Sequence, residues 1–343
     1  MNKHKYNLRK IVIAVCSVYA VYGILFSLIV WEQIQASKIA GVYPFLFVVI
    51  GILLALYGAK LISYEEQGKK CLGLEFIYTI AKYEFLIEQL VGRDFKVKYK
   101  RSILGVFWSF LNPLMMMLVQ YVVFSNFFFR GSGMEHYAIY LLAGIVTFNG
   151  FNDCTTQAMR AITSNATLIT KVYVPKYIYP VTKVMSASLN VIFSLVPLIL
   201  VTVVYGLFND LYLKPSILLL PVILILYFFF IMGISFIVSS LMVFFHDVEF
   251  LWGVLTTMWM YATPIIYPIS MLQDAGSTVG KIALTVVELN PLTHYVNFVR
   301  DILINGCSPG LSEYAICIAW AVVSMVIGVT VFRKTQDKFV LYI

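Results

Sequence analysis

Few residues of this chain are suited to catalysis, and we expect none of them to form an enzyme motif. His246 and Asp247 are adjacent, but a lone His-Asp pair without further ligands is neither a metal site nor a catalytic dyad. The nearest approach to an ATP-binding P-loop is Gly68-Lys69, where Ser63 replaces the first glycine of the motif. We therefore expect no catalytic residue, no metal and no cofactor on this chain.

A cluster of basic residues marks the point where a polar segment meets an apolar one. Five basic residues fall within nine positions, and the next follows only at Arg130: they are Arg93, Lys96, Lys98, Lys100 and Arg101. This asymmetry is the positive-inside pattern of a helix that enters a membrane from the cytoplasm. The formal net charge of +8 follows from such a topology, so we expect no nucleic-acid partner.

The composition is that of a membrane protein with many spans. Hydrophobic residues make up 61% of the 343 residues and charged residues 12%, which is too little polar surface for a soluble domain. The five cysteines are odd in number, scattered and free of any CxxC pair, so neither a disulfide framework nor a zinc site is indicated.

Residues 1–63 predict an N-terminal transmembrane hairpin. Apolar runs at 11–30 and 42–62 are each long enough to span a bilayer. Basic residues precede the first run and follow the second, which places both ends of the hairpin in the cytoplasm. The next segment, 64–101, contains apolar residues at helical spacing from 75 to 91, which is typical of an amphipathic helix at the membrane interface. The alternative is a soluble helix packed on a partner.

Six further apolar segments predict the spans of a third region, residues 102–343. Each is close to the length that a bilayer requires; they are 102–129, 137–159, 181–206, 217–245, 250–267 and 314–332. With loops assigned alternately, most of the 25 lysine and arginine residues fall in cytoplasmic loops. The predicted fold is therefore all-α, and both termini should face the cytoplasm.

The residues around the basic cluster resemble the entry to the first transmembrane helix of ABC-2 type permeases that export polysaccharides, in particular O-antigen and teichoic acid exporters. The resemblance covers roughly the last three quarters of the chain and implies a six-helix core. It also implies a cytoplasmic portal formed by Arg93, Asp94, Tyr99, Arg101, Ser102, Gly105, Trp108 and Pro113. We expect Gly105 and Trp108 to lie on the first helix of that core, with the glycine permitting close approach of another helix.

Two further loops resemble the same family. The coupling loop, residues 164–180, has a short apolar patch before Pro175, as does the family helix that docks on an ATP-binding subunit. In the second, His246-Asp247 stands where the family commonly has arginine before aspartate. The resemblance implies ATPase contacts from Asn165, Leu168, Ile169, Val172, Tyr173, Pro175, His246 and Asp247. The alternative for 164–180 is an ordinary connecting loop.

The segment from 262 to 306 resembles the extracellular gate of the family. Proline and glycine interrupt it too often for one span, which favours re-entrant half-helices buried in protein or lining water. The expected gate residues are Pro264, Tyr267, Pro268, Asn290, Pro291 and Arg300. A plain extracellular loop is the alternative.

Aromatic residues, 16% of the chain, suit a translocation path whose walls stack on sugar rings. The expected path residues are Tyr121, Phe124, Phe128, Phe148 and Phe151. Aromatic residues are also common at membrane interfaces and in packing, so composition alone does not decide the substrate.

The resemblance implies the permease subunit of an ABC exporter in a bacterial inner membrane. We expect a homodimer that works with separate nucleotide-binding ATPase subunits, which bind ATP and Mg, and that moves a lipid-linked glycan outward in contact with membrane lipids. One alternative is an ABC-2 exporter of drugs or lipids. Another is an integral membrane transferase that modifies lipid-linked sugars, for which Asp153, Asp247 and Glu249 are the main ionisable candidates.

Overall fold

The computed structural model describes residues 8–36, 43–67, 72–132, 136–209, 214–273 and 278–343. Within these ranges the regular structure is helical, and no residue lies in a β-strand, which confirms the all-α prediction for this part of the chain. The chain divides into two compact units, Met1–Leu90 and Val91–Ile343.

The first unit contains the two helices that the N-terminal apolar runs predict. They are α1 (Leu8–Ala36) and α2 (Tyr43–Glu66), and they pack on each other. Tyr19 stacks on Phe47 with ring centroids 4.8 Å apart, and its hydroxyl donates to the Phe47 carbonyl oxygen at 2.8 Å. Helix α3 (Leu72–Tyr99) begins in this unit and ends in the second.

The second unit contains ten helices among its described residues. They are α4 (Phe107–Ser132), α5 (Tyr137–Met159), α6 (Ala166–Lys171), α7 (Ile178–Asn209), α8 (Leu220–Phe244), α9 (Val248–Ala262), α10 (Ser270–Gln273), α11 (Thr278–Leu289), α12 (Pro291–Arg300) and α13 (Leu311–Thr335). Short 3₁₀ turns cover Thr163–Asn165, Pro215–Leu219 and Gln336–Leu341, and a π-helical turn covers Asp301–Asn305.

Four of the six predicted spans correspond to helices long and apolar enough to cross a membrane. In the described residues these are Phe107–Ser125, Ile178–Phe208, Pro215–Phe244 and Leu311–Leu341. The second predicted segment is α5, whose bounds match the prediction but which carries several polar side chains.

The fifth predicted segment is wrong at its C-terminal end. Helix α9 has 15 residues and stops at Ala262, whereas we expected apolar helix to residue 267. Pro264 explains the stop, because proline disfavours helical conformation in the residue before it and cannot donate a backbone hydrogen bond.

A pair of glycines brings α8 and α13 into backbone contact. A Cβ atom added to Gly328 would lie 2.2 Å from the carbonyl oxygen of Gly233, and one added to Gly233 would lie 2.3 Å from the Ser324 carbonyl carbon. Small residues at such a crossing let two helices approach closely, as membrane helices commonly do. Beside this pair, α5, α7 and α12 complete the buried core.

The basic cluster lies mostly on a helix. The predicted amphipathic helix, 75–91, continues in the structure to Tyr99, with Lys96 and Lys98 in its last turn, where cations suit the helix dipole. A turn then leads to α4, and Gly105 lies in this turn with φ 52°. The expectation that Gly105 lies on the helix is therefore wrong. The positive φ favours glycine. No atom of the described residues lies within 4 Å of a Cβ built there, so close approach of another helix is not what requires glycine here.

Candidate functional site

A cavity of about 540 Å³ lies between the end of α3 and helices α4, α5 and α7. We call it the amide chamber, because amide and hydroxyl side chains dominate its polar wall: Ser109, Asn112, Asn149, Asn152, Asn190 and Ser194. Trp108 and Met116 add apolar surface. The volume is within the range of roughly 300–1,000 Å³ that small-molecule sites occupy.

Helical spacing places these side chains together. On α4, Asn112 and Met116 are four residues apart, and on α5, Asn149 and Asp153 are four residues apart, so each pair lies on one helix face. Three of the predicted portal residues, Tyr99, Trp108 and Pro113, also line the chamber.

Tyr99 joins three elements at the chamber wall. Its hydroxyl donates to Asn190 Oδ1 on α7 at 2.7 Å and shares a short hydrogen bond with the Ser109 hydroxyl on α4. Ser109 is joined to α7 as well, because the Ser194 hydroxyl donates to its carbonyl oxygen at 3.1 Å. The end of α3 is thus bonded to both α4 and α7.

A charged pair lies at the chamber. Lys98 Nζ on α3 is 2.9 Å from Asp153 Oδ2 on α5. Both side chains are partly exposed, so the pair contributes little to stability, about 0–1 kcal/mol. Its effect is to place a donor-only and an acceptor-only group beside the amides.

Two amides in the chamber are available to a ligand. Among the described residues, the side chains of Asn112 and Asn149 have no hydrogen-bond partner, whereas Asn152 accepts from the Thr156 hydroxyl at 3.3 Å. An asparagine side chain both donates and accepts, as does a sugar hydroxyl. Polar groups in membrane helices that face a cavity commonly mark a substrate path.

The polar face of α4 continues beyond the chamber. A second cavity of about 70 Å³ shares Met116 and Asn149 with the amide chamber and reaches Gln120 and Tyr267. Gln120 is one turn beyond Met116, and its Oε1 atom is buried without a donor among the described residues. The two cavities therefore share a wall that leads toward the end of α9.

The segment after α9, residues 263–268, is irregular, and we call it the proline turn. Tyr140 Oη on α5 lies 3.1 Å from the Pro264 carbonyl oxygen and 2.9 Å from that of Tyr267. Tyr137 Oη donates to the Ile266 carbonyl oxygen at 2.8 Å. Irregular backbone inside a membrane protein is stable when its polar groups are satisfied in this way.

Asn290, at the N-cap of α12, makes four hydrogen bonds around the proline turn. Its Nδ2 donates to the Ala262 carbonyl oxygen at 3.1 Å and to Thr263 Oγ1 at 2.8 Å. Its Oδ1 accepts from Trp259 Nε1 at 2.7 Å and from the Leu292 backbone N–H at 3.0 Å. The asparagine thereby caps α12 and holds the end of α9.

Arg300, at the other end of α12, is buried against the same turn. Its guanidinium lies 3.3 Å from the Tyr140 ring centroid and donates to the carbonyl oxygens of Tyr140 and Ile265, at 3.1 and 3.3 Å from Nη2. The structure thus brings Asn290, Pro291 and Arg300 to the proline turn that contains Pro264, Tyr267 and Pro268.

His294 fastens α12 to its neighbours outside the four apolar spans. Its Nδ1 lies 2.8 Å from Glu313 Oε2 at the start of α13, and its Nε2 lies 2.8 Å from the Glu288 carbonyl oxygen. The hydrogen bond with the Glu313 carboxylate is the main reason that the pKa of His294 is raised above its ordinary value.

The coupling loop has an outward and an inward side. Helix α6 forms its middle, and Val172 and Tyr173, which follow the helix, are exposed. Asn165 is buried instead: its Nδ2 donates to the Ala161 carbonyl oxygen at 2.8 Å, and its Oδ1 accepts from Arg93 Nη2 at 3.2 Å. We therefore correct the prediction that Asn165 itself contacts a partner, because its polar atoms are used inside the protein.

Arg93 and Asp94 lie beside this loop and do not line the amide chamber. The Asp94 carboxylate pairs with Arg93 Nη2 and with Lys183 Nζ on α7, each at 2.9 Å. Asp94 is therefore the centre of a polar cluster that joins α3, α7 and, through Arg93, the coupling loop. Of the other predicted portal residues, Arg101 is exposed and Ser102 Oγ accepts from the Gly105 backbone N–H at 3.0 Å in the turn before α4.

The five aromatic residues predicted to line the path lie in different surroundings. Phe151 is fully buried and packs on Trp259 and Phe230, with centroids 5.0 and 5.8 Å apart, so it belongs to the core and we remove it from the path. Phe148 is buried but borders the smaller cavity. Tyr121 lies 6.2 Å from the Tyr137 ring, Phe124 is half-buried, and the Phe128 side chain lies outside the described residues.

One motif match was missed in the sequence. Gly306 to Gly310 spells GxSxG, which in hydrolases places a nucleophilic serine on a turn between a strand and a helix. Here a π-helical turn precedes Ser308, whose hydroxyl lies 3.1 Å from the Tyr314 hydroxyl. The context of a nucleophile is therefore lacking.

The polar chamber residues were also missed as a group. Asn112, Asn149 and Asn190 stand in apolar segments predicted to span a membrane, and this was the available signal. Sequence spacing places two residues on one helix face, but the pairing of Lys98 with Asp153 depends on how α3 packs on α5.

Comparison with known proteins agrees with these features. The family described as ABC-2 type transporter matches residues 86–304 of this chain. The chain is 25% identical over 266 residues to the O-antigen export system permease protein RfbA of Myxococcus xanthus, covering 78% of this chain and 98% of that protein. Two proteins of the same name from Klebsiella pneumoniae are each 26% identical, over 268 and 271 residues, with the same coverage.

Proposed function

Because this chain belongs to the ABC-2 type transporter family, we propose that it is the permease subunit of an ATP-driven exporter of a lipid-linked polysaccharide. A glycan cargo is supported by three relatives that are named O-antigen export permeases. This chain aligns with 98% of the length of each. We place the protein in a bacterial inner membrane, with both termini in the cytoplasm.

The amide chamber is the observation that carries the glycan assignment. Asn112 and Asn149 offer donors and acceptors that have no partner within the described part of the chain, and Trp108 offers a flat apolar surface in the same cavity. Sugars present hydroxyl groups at their edges and apolar faces between them, so amides beside an aromatic ring match both features. We propose that the sugar chain passes this chamber and then the wall shared with the smaller cavity.

ATP hydrolysis is assigned to a separate nucleotide-binding subunit, which would also bind Mg. We propose that two copies of this chain work with two such subunits. The ATPase contacts would come from the exposed residues Val172 and Tyr173 and from Pro175, His246 and Asp247. Leu168 and Ile169, which are half-buried on α6, would complete this surface.

Helix α3 provides a direct route from the coupling loop to the chamber. Asp94 is joined to the loop through Arg93, and Lys98 and Tyr99, about one turn further along the same helix, line the chamber. A helix moves as a rigid element over this length, so displacement of the loop would shift the Lys98–Asp153 pair and the Tyr99 hydrogen bonds. We propose that this is how ATP turnover opens the chamber.

Two other functions fit less well. An exporter of apolar drugs or lipids would not require unpartnered amides in its substrate cavity. A transferase would require several free carboxylates close together. Asp153 is paired with Lys98 and Glu249 with Arg160, so among the described residues Asp247 is the one candidate of the three without an ion pair.

The test is export in cells that make the glycan but lack their own permease. We expect the glycan to reach the outer face when this chain is produced with a catalytically competent ATPase subunit, and to accumulate inside when the ATPase cannot hydrolyse ATP. Restored resistance to apolar drugs without surface glycan would instead favour the drug exporter. A chemically modified glycan that remains inside would favour the transferase.

A further inference from the structure

The C-terminal segment, Gln336–Ile343, folds back on the ends of α8 and α13. Phe339 is fully buried there, with its ring 5.3 Å from that of Phe332 and 5.9 Å from that of Phe244. Tyr342 packs edge-on against Phe244 at 4.9 Å. These aromatic contacts hold Gln336–Ile343 in a defined position against the core helices, whereas terminal residues without such contacts are usually poorly ordered.

The same segment is fastened to the coupling loop. Lys176, next to Pro175, donates from Nζ to the Gln336 carbonyl oxygen at 2.6 Å, and this ammonium lies 5.9 Å from the Phe339 ring centroid. Tyr173 is three residues before Lys176, a length of chain that spans at most about 11 Å. The coupling loop and the C-terminal segment therefore form one continuous surface.

This surface exposes large apolar side chains. Tyr173 is 98% exposed in the coupling loop, Phe245 is 64% exposed after α8, and Leu341 is 80% exposed in the C-terminal segment. A group of exposed apolar residues on ordered backbone commonly marks an interaction site. Charged residues follow the last apolar turn of α13 and are interspersed with these side chains, which distinguishes the surface from the uniformly apolar faces of the long helices.

We propose that the C-terminal segment is part of the docking surface for the ATPase subunit and extends the surface of the coupling loop. This inference rests on the proposed function, because it takes the coupling loop as an ATPase contact. Leu341 inserts into an apolar groove of the ATPase subunit, while Phe339 and Lys176 hold Leu341 in register with Tyr173. The segment also braces the coupling loop against α8, so force on α6 is shared with the ends of the core helices.

The test is retention of the ATPase subunit by the purified full-length permease. We expect Leu341→Asp to reduce the ATPase bound per permease about tenfold, since a carboxylate in an apolar groove is desolvated without a partner. Val279→Asp is the matched control, because Val279 is 76% exposed at the start of α11 and lies far along the chain from the coupling loop. Tyr173→Asp tests the coupling loop itself, and Leu341→Ser repeats the test with an uncharged change.

Loss of the ATPase in both Leu341 variants, with normal retention in Val279→Asp and unchanged size-exclusion profiles, supports the inference. Normal retention in the Leu341 variants with loss in Tyr173→Asp overturns the C-terminal surface and leaves the proposed function intact. Failure of the wild-type permease to retain any ATPase overturns both. If the Leu341→Asp permease keeps the ATPase but unfolds at a lower temperature than the wild type in anionic vesicles, the segment contacts lipid and the inference is also overturned.

Discussion

The amide chamber and the proline turn use the same kinds of polar residue in opposite ways. In the chamber, Asn112 and Asn149 have no protein partner among the described residues. At the turn, Asn290 makes four hydrogen bonds, and Tyr137 and Tyr140 supply donors to backbone carbonyl oxygens. Polar groups that the protein satisfies are structural, whereas polar groups that it leaves open in a cavity are available to a substrate.

Substitutions in the two regions should therefore have different effects: those at the proline turn should lower the stability of the fold, and those in the amide chamber should lower transport. Removing a satisfied group at the turn leaves buried partners without hydrogen bonds, so the folded state loses free energy. Removing an open group in the chamber leaves no such orphan, so folding should change little while transport falls. Paired substitutions of the same chemical type in the two regions can therefore test the comparison.

The largest expected effect on stability is that of Asn290→Ala. Four hydrogen bonds are lost, including the N-cap of α12, and we expect a destabilisation of roughly 3 kcal/mol. Asn149→Ala is the matched change in the chamber and should alter stability by less than about 0.5 kcal/mol. Thermal unfolding of the purified proteins in the same detergent measures both. Equal destabilisation by the two changes would remove the distinction between the regions.

A smaller and graded effect is expected for the tyrosines of α5. Tyr140→Phe removes a hydroxyl near two carbonyl oxygens, and Tyr137→Phe removes a hydroxyl that serves one. We expect about 1–3 kcal/mol for the first and less for the second. Tyr140→Phe should also keep the ring contact with Arg300, so its effect reports the hydroxyl alone. A larger loss for Tyr137→Phe would contradict the assigned hydrogen bonds.

The smallest expected effect is a pH dependence at His294. Because Glu313 raises the pKa of His294, protonated His294 stabilises the fold, and this contribution is fully present below the ordinary histidine value. It is lost as pH rises through the raised pKa of the folded protein. We therefore expect the wild type to lose thermal stability over this interval relative to His294→Gln. Parallel stability curves for the two proteins across the interval would show that the ion pair does not contribute.

Much of the helical framework could be predicted from the sequence, because length and apolar composition determine which segments suit a bilayer. The bounds of α5 match the prediction, and the segment 262–306, which proline and glycine were expected to interrupt, contains the short helices α10, α11 and α12. The exact stop of α9 was not predicted, because apolar composition continues through Tyr267 while Pro264 interrupts the backbone pattern.

The site was less accessible to sequence reasoning, because it depends on packing between distant segments. Asp94 was assigned to a portal, but its contacts with Arg93 and Lys183 place it beside the coupling loop. Phe151 was assigned to a path, but its ring is enclosed by other helices. Such burial depends on which helix faces another, and a single apolar helix does not encode this in its periodicity.

The measurement that tests the chamber most directly is glycan export per folded permease, with ATP hydrolysis measured in parallel. We predict that Asn112→Leu with Asn149→Leu lowers export about tenfold, since two hydrogen bonds to the substrate are lost while basal ATP hydrolysis and folding are retained. Met116→Leu, a volume-conserving change in the same wall, is the control and should export normally. Wild-type export per folded permease in the double variant would contradict the assignment of the amide chamber to the glycan path.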